Sequence, residues 1–218
     1  GQGLHVVEWR SWDRVLNEEQ NHLLRVAVDQ TPPSTTLSLG EPKTKVFGLD
    51  IITPQTPITL SAQDPVINTV AAGADFSEYS LDGVAYARFA QDILLQEGVR
   101  SLAYRSQDRV ENLETSRSTM VYVDGTAPLT EAVLTGPRYA LQPGDSQPGG
   151  FQAVGGPLFI ASHTLFGLRA QDPAIAEGTP GSGVGKTLYG LDSGIPVPFT
   201  ADFPILNEGA QLIGYRSL

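Results

Sequence analysis

The chain has 218 residues, a formal net charge of −10 at pH 7 and no cysteine. This length fits about two domains. The acidic charge argues against nucleic-acid binding, which needs a basic surface. The lack of cysteine excludes disulfides and cysteine-bound zinc. No apolar run approaches the roughly 20 residues of a membrane-spanning helix, so we expect no transmembrane segment.

The first segment of the chain, residues 3–33, occurs again later. It reads GLHVVEWRSWDRVLNEEQNHLLRVAVDQTPP and aligns without a gap with residues 98–128, GVRSLAYRSQDRVENLETSRSTMVYVDGTAP; residues 209–218, GAQLIGYRSL, begin a third copy. A spacing of about 95 residues is too long for a solenoid repeat and suits small β-sandwich domains. We therefore predict three tandem units, at residues 1–33, 34–128 and 129–218, with the first and last incomplete.

Alternation within the repeated segment predicts strands. Val7, Trp9 and Ser11 fall on one face of the first strand, and Glu8 and Arg10 fall on the other. Because successive side chains of a strand point to opposite faces, the first face is predicted to be core and the second to be solvated. Residues 17–24 and 112–118 have some helical propensity, but their place between two strands predicts hairpin tips.

The strands between the copies of this segment also recur. Residues 58–65 match 166–173, and residues 79–83 match 189–193, with Asp82-Gly83 predicting a two-residue hairpin turn. The last unit also contains a Gly/Pro-rich stretch, 142–156, and a longer loop, 173–185. The chain is therefore predicted to be all-β, and the core of the middle unit is predicted to contain Leu60, Tyr79, Leu102, Tyr104 and Val121 or Tyr122.

One group of acidic residues is a candidate metal site. In a sandwich of this type the incoming linker, the loop after the second strand and the last hairpin tip lie at one pole, which gathers Asp29, Asp64, Asp108 and Asn112. Several oxygen ligands that converge are what Ca²⁺ requires. The alternative is that Asp64 and Asp108 accept hydrogen bonds within turns while Asp29 is solvated.

Other motifs in the chain do not indicate catalysis. Residues 181–187, GSGVGKT, fall short of a phosphate-binding loop because Pro180 stands where its first glycine belongs. There is no G-x-S-x-G motif and no H-E-x-x-H motif. We therefore predict no catalytic residue and no enzyme activity. Carbohydrate binding is an alternative function if aromatic rings lie on the surface, and the candidate rings are Trp12, Tyr86, Tyr139 and Phe151.

Four segments resemble the bacterial immunoglobulin-like tandem repeats of large secreted and surface proteins. They are ITLSAQD at 58–64, EYSLDG at 78–83, the segment 97–114 and VYVDGTAP at 121–128. The resemblance implies tandem immunoglobulin-like β-sandwich domains in a secreted or cell-surface bacterial protein, and it does not imply an enzyme. The glycine that the family usually places before the hairpin asparagine is Leu16 and Glu111 here.

Two functions fit these observations. The first is a structural or adhesive repeat array, and the second is an accessory carbohydrate- or protein-binding module of a secreted hydrolase. The partners expected are neighbouring repeats of the same or another chain. In one arrangement the strand at 25–29 of one molecule completes the 129–218 unit of the next and forms a filament; in the other, the chain is a piece of a longer polypeptide.

Overall fold

A computed structural model describes residues 1–140, 158–192 and 194–218, and these residues form strands, turns and loops without a helix. The all-β prediction is therefore confirmed for this part of the chain. The chain divides into two units, Gly1–Gly125 and Thr126–Leu218. The predicted boundary at residue 33 stays a prediction, because the first hairpin and the strands that follow it fall within one unit.

The first unit contains ten strands. They are β1 (Gly3–Trp9), β2 (His22–Val28), β3 (Ser34–Leu39), β4 (Lys43–Val46), β5 (Leu49–Ile52), β6 (Ile58–Gln63), β7 (Ala74–Ser80), β8 (Ala87–Arg88), β9 (Gly98–Asp108) and β10 (Arg117–Val123). Strands β1 and β2 form a two-stranded sheet, as do β3 and β6. The other strands form a six-stranded sheet in the order β4-β5-β10-β9-β7-β8, in which β10 runs antiparallel to β9 and parallel to β5.

The core of the first unit draws side chains from both the β3–β6 pair and the six-stranded sheet, which is consistent with a β-sandwich. Leu102 and Val121 are buried as predicted, and Leu60 is 8% exposed. Tyr79 and Tyr104 are partly buried and pack against the cluster from its margin. The buried members of the cluster are Ile52, Ile58, Leu60, Ile93, Leu95, Leu102, Val121 and Val123.

The second unit contains eight strands among its described residues. They are β11 (Leu129–Thr135), β12 (Arg138–Ala140), β13 (Leu158–Ile160), β14 (Leu165–Gln171), β15 (Thr187–Leu191), β16 (Val197–Pro198), β17 (Phe203–Pro204) and β18 (Ile213–Ser217). They form sheets in the orders β11-β14-β17, β12-β13 and β16-β15-β18. The predicted Gly/Pro-rich interruption at 142–156, including Phe151, lies outside the described residues.

The repeated segment folds into the same hairpin twice. Gly3 pairs with Val28 and Trp9 pairs with His22 in the first copy, and the second copy pairs the aligned residues. All three copies begin with a glycine at positive φ, at +135° for Gly3, +118° for Gly98 and +108° for Gly209, a conformation that favours residues without a Cβ. The two hairpins are confirmed, and residues 22–24 and 117–118 of the predicted tips belong to strands β2 and β10.

Two local predictions are corrected by the structure. The predicted core face of β1 is half exposed, with Val7 at 49% and Trp9 at 47%, because β1 and β2 form a sheet of their own with no strand packed over that face among the described residues. The Asp82-Gly83 turn is also longer than two residues, since Tyr79 pairs with Ala87. The described part of the chain contains no helix long and apolar enough to cross a membrane.

Candidate functional site

The first component of the candidate site is the tip of the β9–β10 hairpin. Asp108 is 1% exposed, and its Oδ1 accepts hydrogen bonds from the backbone N–H groups of Val110 and Asn112 at 2.9 and 2.8 Å. Its Oδ2 accepts a bond from Asn112 Nδ2 at 2.7 Å. A short acidic side chain at a turn accepts such bonds readily. The hydrogen bonds predicted by the turn alternative are therefore present at Asp108.

The first hairpin has the same tip in an exposed setting. Asp13 Oδ1 accepts from the backbone N–H groups of Val15 and Asn17, both at 2.9 Å, and Oδ2 accepts from Asn17 Nδ2 at 2.7 Å. The bond from the Asn17 side chain is the main cause that lowers the pKa of Asp13. The tip geometry is thus a property of the local sequence, while burial differs between the two copies.

The second component is the linker residue Asp29. Its Oδ1 accepts from the Thr31 N–H at 3.0 Å and from Gln2 Nε2 at 2.9 Å. Its Oδ2 accepts from the Ala72 N–H at 2.6 Å. These backbone donors, Thr31 first, lower the pKa of Asp29. Asp29 is therefore only partly solvated, and its hydrogen bonds tie the linker to the loop after β6.

The third component, Asp64, directly follows β6 and has one oxygen without a partner. Its Oδ2 accepts from the Gly73 N–H at 2.6 Å. Its Oδ1 is buried and accepts no hydrogen bond. A buried carboxylate oxygen without a donor is costly, because burial removes its hydration and the protein supplies nothing in its place. This oxygen is what a bound cation would satisfy.

The three carboxylates converge as the sequence predicted. Asp29, Asp64 and Asp108 each contribute a carboxylate oxygen, and these oxygens lie within 4.8 Å of one another. Two ligands of one Ca²⁺ ion, each about 2.3–2.6 Å from it, lie at most about 5 Å apart. No Lys or Arg of the described residues forms an ion pair with any of the three. Three carboxylates this close repel one another, and a cation relieves the repulsion.

Asn112 lies beside these carboxylates and donates hydrogen bonds from its side-chain amide. Its Nδ2 contacts Asp108 Oδ2 at 2.7 Å and the Asp29 backbone oxygen at 3.2 Å. This arrangement links the hairpin tip to the linker. Asn112 Nδ2 therefore holds the Asp108 carboxylate and the Asp29 backbone, and the ligand role that the sequence predicted for Asn112 stays a prediction.

The second unit repeats the Asp64 arrangement at Asp172. Its Oδ2 accepts from the Gly183 N–H at 2.6 Å, and its Oδ1 is buried without a partner. Gly183 belongs to the glycine-rich loop considered above as a phosphate site. The Gly183 N–H of this loop is thus already bound to the Asp172 carboxylate. In addition, strand β15 follows the loop, whereas a phosphate-binding loop requires a helix there.

Two of the aromatic rings considered for carbohydrate binding are covered by arginine. The Cζ atom of Arg10 lies 4.9 Å from the centre of the Trp12 ring, and that of Arg105 lies 4.0 Å from the centre of the Tyr86 ring. Tyr139 is about half exposed. Rings that already stack on a guanidinium offer less open face to a sugar. The described aromatic residues therefore give this function little support.

Sequence reasoning missed a buried carboxylate, Glu114. Its side chain accepts hydrogen bonds from the N–H and the hydroxyl of Thr35 and from the Ser106 N–H. It is 6% exposed and contacts Arg117 at 3.1 Å. The signal was present in the repeat, because Ser106 and Glu114 align with Ser11 and Glu19. Glu114 links β3 to the end of β9 through hydrogen bonds, so its role is structural.

A scan against models of known protein families finds no match for this chain, and a search of curated proteins finds no similar protein either. The resemblance to bacterial immunoglobulin-like repeats therefore stays a prediction.

Proposed function

We propose that this chain is a structural or adhesive array of immunoglobulin-like β-sandwich repeats from a bacterial secreted or surface protein, and that Ca²⁺ fixes one repeat to the next. The observation that carries the proposal is the convergence of Asp29, Asp64 and Asp108. These residues come from a linker, a strand end and a hairpin tip that are far apart in sequence. A cation at this point would hold all three elements together.

The structural role is supported by how the repeated residues are used. In both complete copies of the hairpin, the aspartate and asparagine of the tip bond to each other and to the tip backbone. The repeated serine and glutamate positions also interact, since Glu19 N–H bonds to the Ser11 carbonyl and Glu114 N–H bonds to the Ser106 carbonyl, both at 2.9 Å. The repeat therefore preserves residues that build the hairpin.

Calcium at this site would stiffen the attachment of the first hairpin. Without a cation, that attachment among the described residues rests on hydrogen bonds such as Asn68 Nδ2 to the Gln2 carbonyl at 3.1 Å and Asn112 Nδ2 to the Asp29 carbonyl. A cation bound by Asp29 on one side and by Asp64 and Asp108 on the other adds strong electrostatic links across the same attachment. Tandem repeats joined in this way resist bending better than repeats joined by a bare linker.

Calorimetric titration with Ca²⁺ tests the site. The chain is expected to bind one ion at this pole, and Ca²⁺ at 100 times its dissociation constant stabilises the folded state by about 2.7 kcal/mol. Asp108→Asn is expected to abolish the heat of binding at this pole and the gain in melting temperature. Asp13→Asn is the matched control, because it changes the same tip motif at a residue outside the group of three carboxylates found among the described residues, and it should leave both unchanged.

The stiffening can be observed separately through tryptophan. The only two tryptophans, Trp9 and Trp12, both lie in the first hairpin, so their fluorescence anisotropy reports on that hairpin alone. Ca²⁺ should raise this anisotropy in the unmodified chain and in the Asp13→Asn variant, but not in Asp108→Asn. A melting curve and an anisotropy that respond to neither a chelator nor millimolar Ca²⁺ would refute the calcium joint.

A further inference from the structure

Two residues of the loop before β7 contact both the hairpin tip and two of the three carboxylates. The N–H of Ala72 donates to Asp29 Oδ2, and the N–H of Gly73 donates to Asp64 Oδ2, both at 2.6 Å. The carbonyl groups of the same two residues accept hydrogen bonds from Arg109 at the tip of the β9–β10 hairpin. Each loop residue therefore joins one carboxylate to this tip.

Arg109 holds the two carbonyl groups in different ways. Its backbone N–H donates to the Gly73 oxygen at 3.1 Å, and its side-chain Nη1 donates to the Ala72 oxygen at 3.3 Å. The first bond continues the β7–β9 ladder, in which Ala74 pairs with Asp108, so any residue with a backbone N–H could form it. The second bond needs a long side chain that ends in a donor, and it is therefore specific to the arginine.

The glycine of this loop leaves room for the arginine side chain. The φ of Gly73 is +84°, and a Cβ atom there would lie 2.9 Å from Arg109 Nη1. The aligned Gly183 of the second unit has a φ of +91° and donates its N–H to Asp172 Oδ2, also at 2.6 Å. Apart from its chain neighbours, no described residue comes within 4 Å of a Cβ atom at Gly183. The glycine–aspartate bond therefore forms without an arginine, and what Arg109 adds is its bond to Ala72.

The bond to Ala72 acts on the carboxylate that the sandwich fixes least. Asp64 directly follows β6 and Asp108 ends β9, whereas Asp29 lies in the linker after β2. Ala72 supplies the hydrogen bond from the loop to the Asp29 carboxylate, and the other donors to this carboxylate belong to the first hairpin and the linker themselves. The position of Asp29 beside the other two carboxylates therefore depends on where Ala72 is held.

The positive charge of Arg109 has a smaller effect on the site than its hydrogen bond. The side chain is exposed, and among the described residues it forms no ion pair with the three carboxylates. Water and salt screen a charge at such a position. The two effects also have opposite signs, because loss of the charge would strengthen cation binding and loss of the bond would weaken it.

We propose that Arg109 is a positioning residue of the cation site, and that it acts through Ala72 to hold Asp29 beside Asp64 and Asp108. This inference rests on the calcium joint proposed above. Arg109 donates to none of the three carboxylates among the described residues, so its effect on Ca²⁺ is indirect. The arginine fixes the loop, and the loop fixes the linker carboxylate.

Amide hydrogen exchange of the calcium-free chain, measured by NMR, tests the first step. In Arg109→Ala the Ala72 amide should exchange about threefold to tenfold faster than in the unmodified chain, because its residue has lost one of its two hydrogen bonds. The Gly183 amide of the second unit is the internal reference and should be unchanged. Arg109 is exposed, so the substitution leaves no cavity. An unchanged exchange rate at Ala72 would overturn the proposal.

Calorimetric titration with Ca²⁺ tests the second step. Arg109→Ala should weaken binding about threefold to tenfold, and Arg109→Lys, which keeps a donor at the end of a long side chain, should recover part of this loss. The matched control is Arg14→Ala, which changes the aligned arginine of the same Asp-Arg-Val tip in the first hairpin. This control should bind Ca²⁺ as the unmodified chain does.

The two measurements separate this inference from the calcium joint. If the unmodified chain binds Ca²⁺ and Arg109→Ala binds it equally well or more tightly, the joint stands and the role of Arg109 is refuted. If the unmodified chain binds no Ca²⁺, the joint is refuted. The exchange rate of the Ala72 amide then decides by itself whether Arg109 positions Asp29.

Discussion

The two units differ most at the position of a single strand. In the first unit β10 joins β9 to β5 and completes a six-stranded sheet. In the second, the described strands at the corresponding places, β18 and β13, belong to separate sheets of three and two strands. The strand that closes the sheet therefore also determines whether apolar side chains on its neighbours are buried.

The energetic effect of that strand is indirect as well as direct. Val121 and Val123 of β10 are themselves buried, and Ile51, Ile52 and Leu102 on the adjacent strands are buried with them. Full burial of each such side chain is worth about 1.5–3 kcal/mol. In the second unit β13 and β18 form strands without this contribution. Strand formation therefore does not depend here on the burial of the neighbouring side chains.

The largest expected effect compares two aligned core positions. Leu102→Ala should destabilise the first unit by about 3 kcal/mol, because a completely buried leucine leaves a cavity. Ile213→Ala, at the aligned position in the second unit, should cost about 1 kcal/mol because its side chain is already half exposed. Urea unfolding followed by circular dichroism measures both. Equal costs would show that the second unit is as closed as the first.

An intermediate effect is expected for the repeated glutamate. Glu114→Gln should destabilise the first unit by about 2 kcal/mol, since a buried carboxylate that accepts from Thr35 and Ser106 loses its charge and an acceptor oxygen. Glu19→Gln changes the aligned residue in an exposed setting and should shift stability by less than about 0.5 kcal/mol. Thermal unfolding of the two variants shows whether burial or local sequence determines how much this glutamate contributes to the free energy of unfolding.

The smallest effect is expected at the hairpin tips. Leu16 and Glu111 have φ values of 68° and 71°, a left-handed conformation that costs a residue with a Cβ roughly 1 kcal/mol. Glu111→Gly and Leu16→Gly should therefore each stabilise their hairpin by up to about 1 kcal/mol. Differential scanning calorimetry can measure the change. A loss of stability in both variants would contradict strain at these positions.

Much of the candidate site was predictable because the repeat reveals which residues share a place in the fold. The order of strands within a repeat brought Asp29, Asp64 and Asp108 to one pole, and their convergence followed from that order. The donor role of Asn112 was not predictable, because a side-chain amide carries both an oxygen and donor hydrogens. The donor role follows only from the tertiary positions of its two acceptors, the Asp108 carboxylate and the Asp29 backbone carbonyl.

The sequence by itself determined the local structure: the hairpin register, the aspartate-asparagine tips and the glycines at positive φ, all of which depend on residues close together in the chain. The tertiary structure alone decided burial. Trp9 and Tyr104 occupy the same place in the same hairpin, yet Tyr104 packs against a core and Trp9 remains half exposed. Burial depends on which distant strands lie alongside, and the parallel pairing of β10 with β5 joins residues about 70 positions apart.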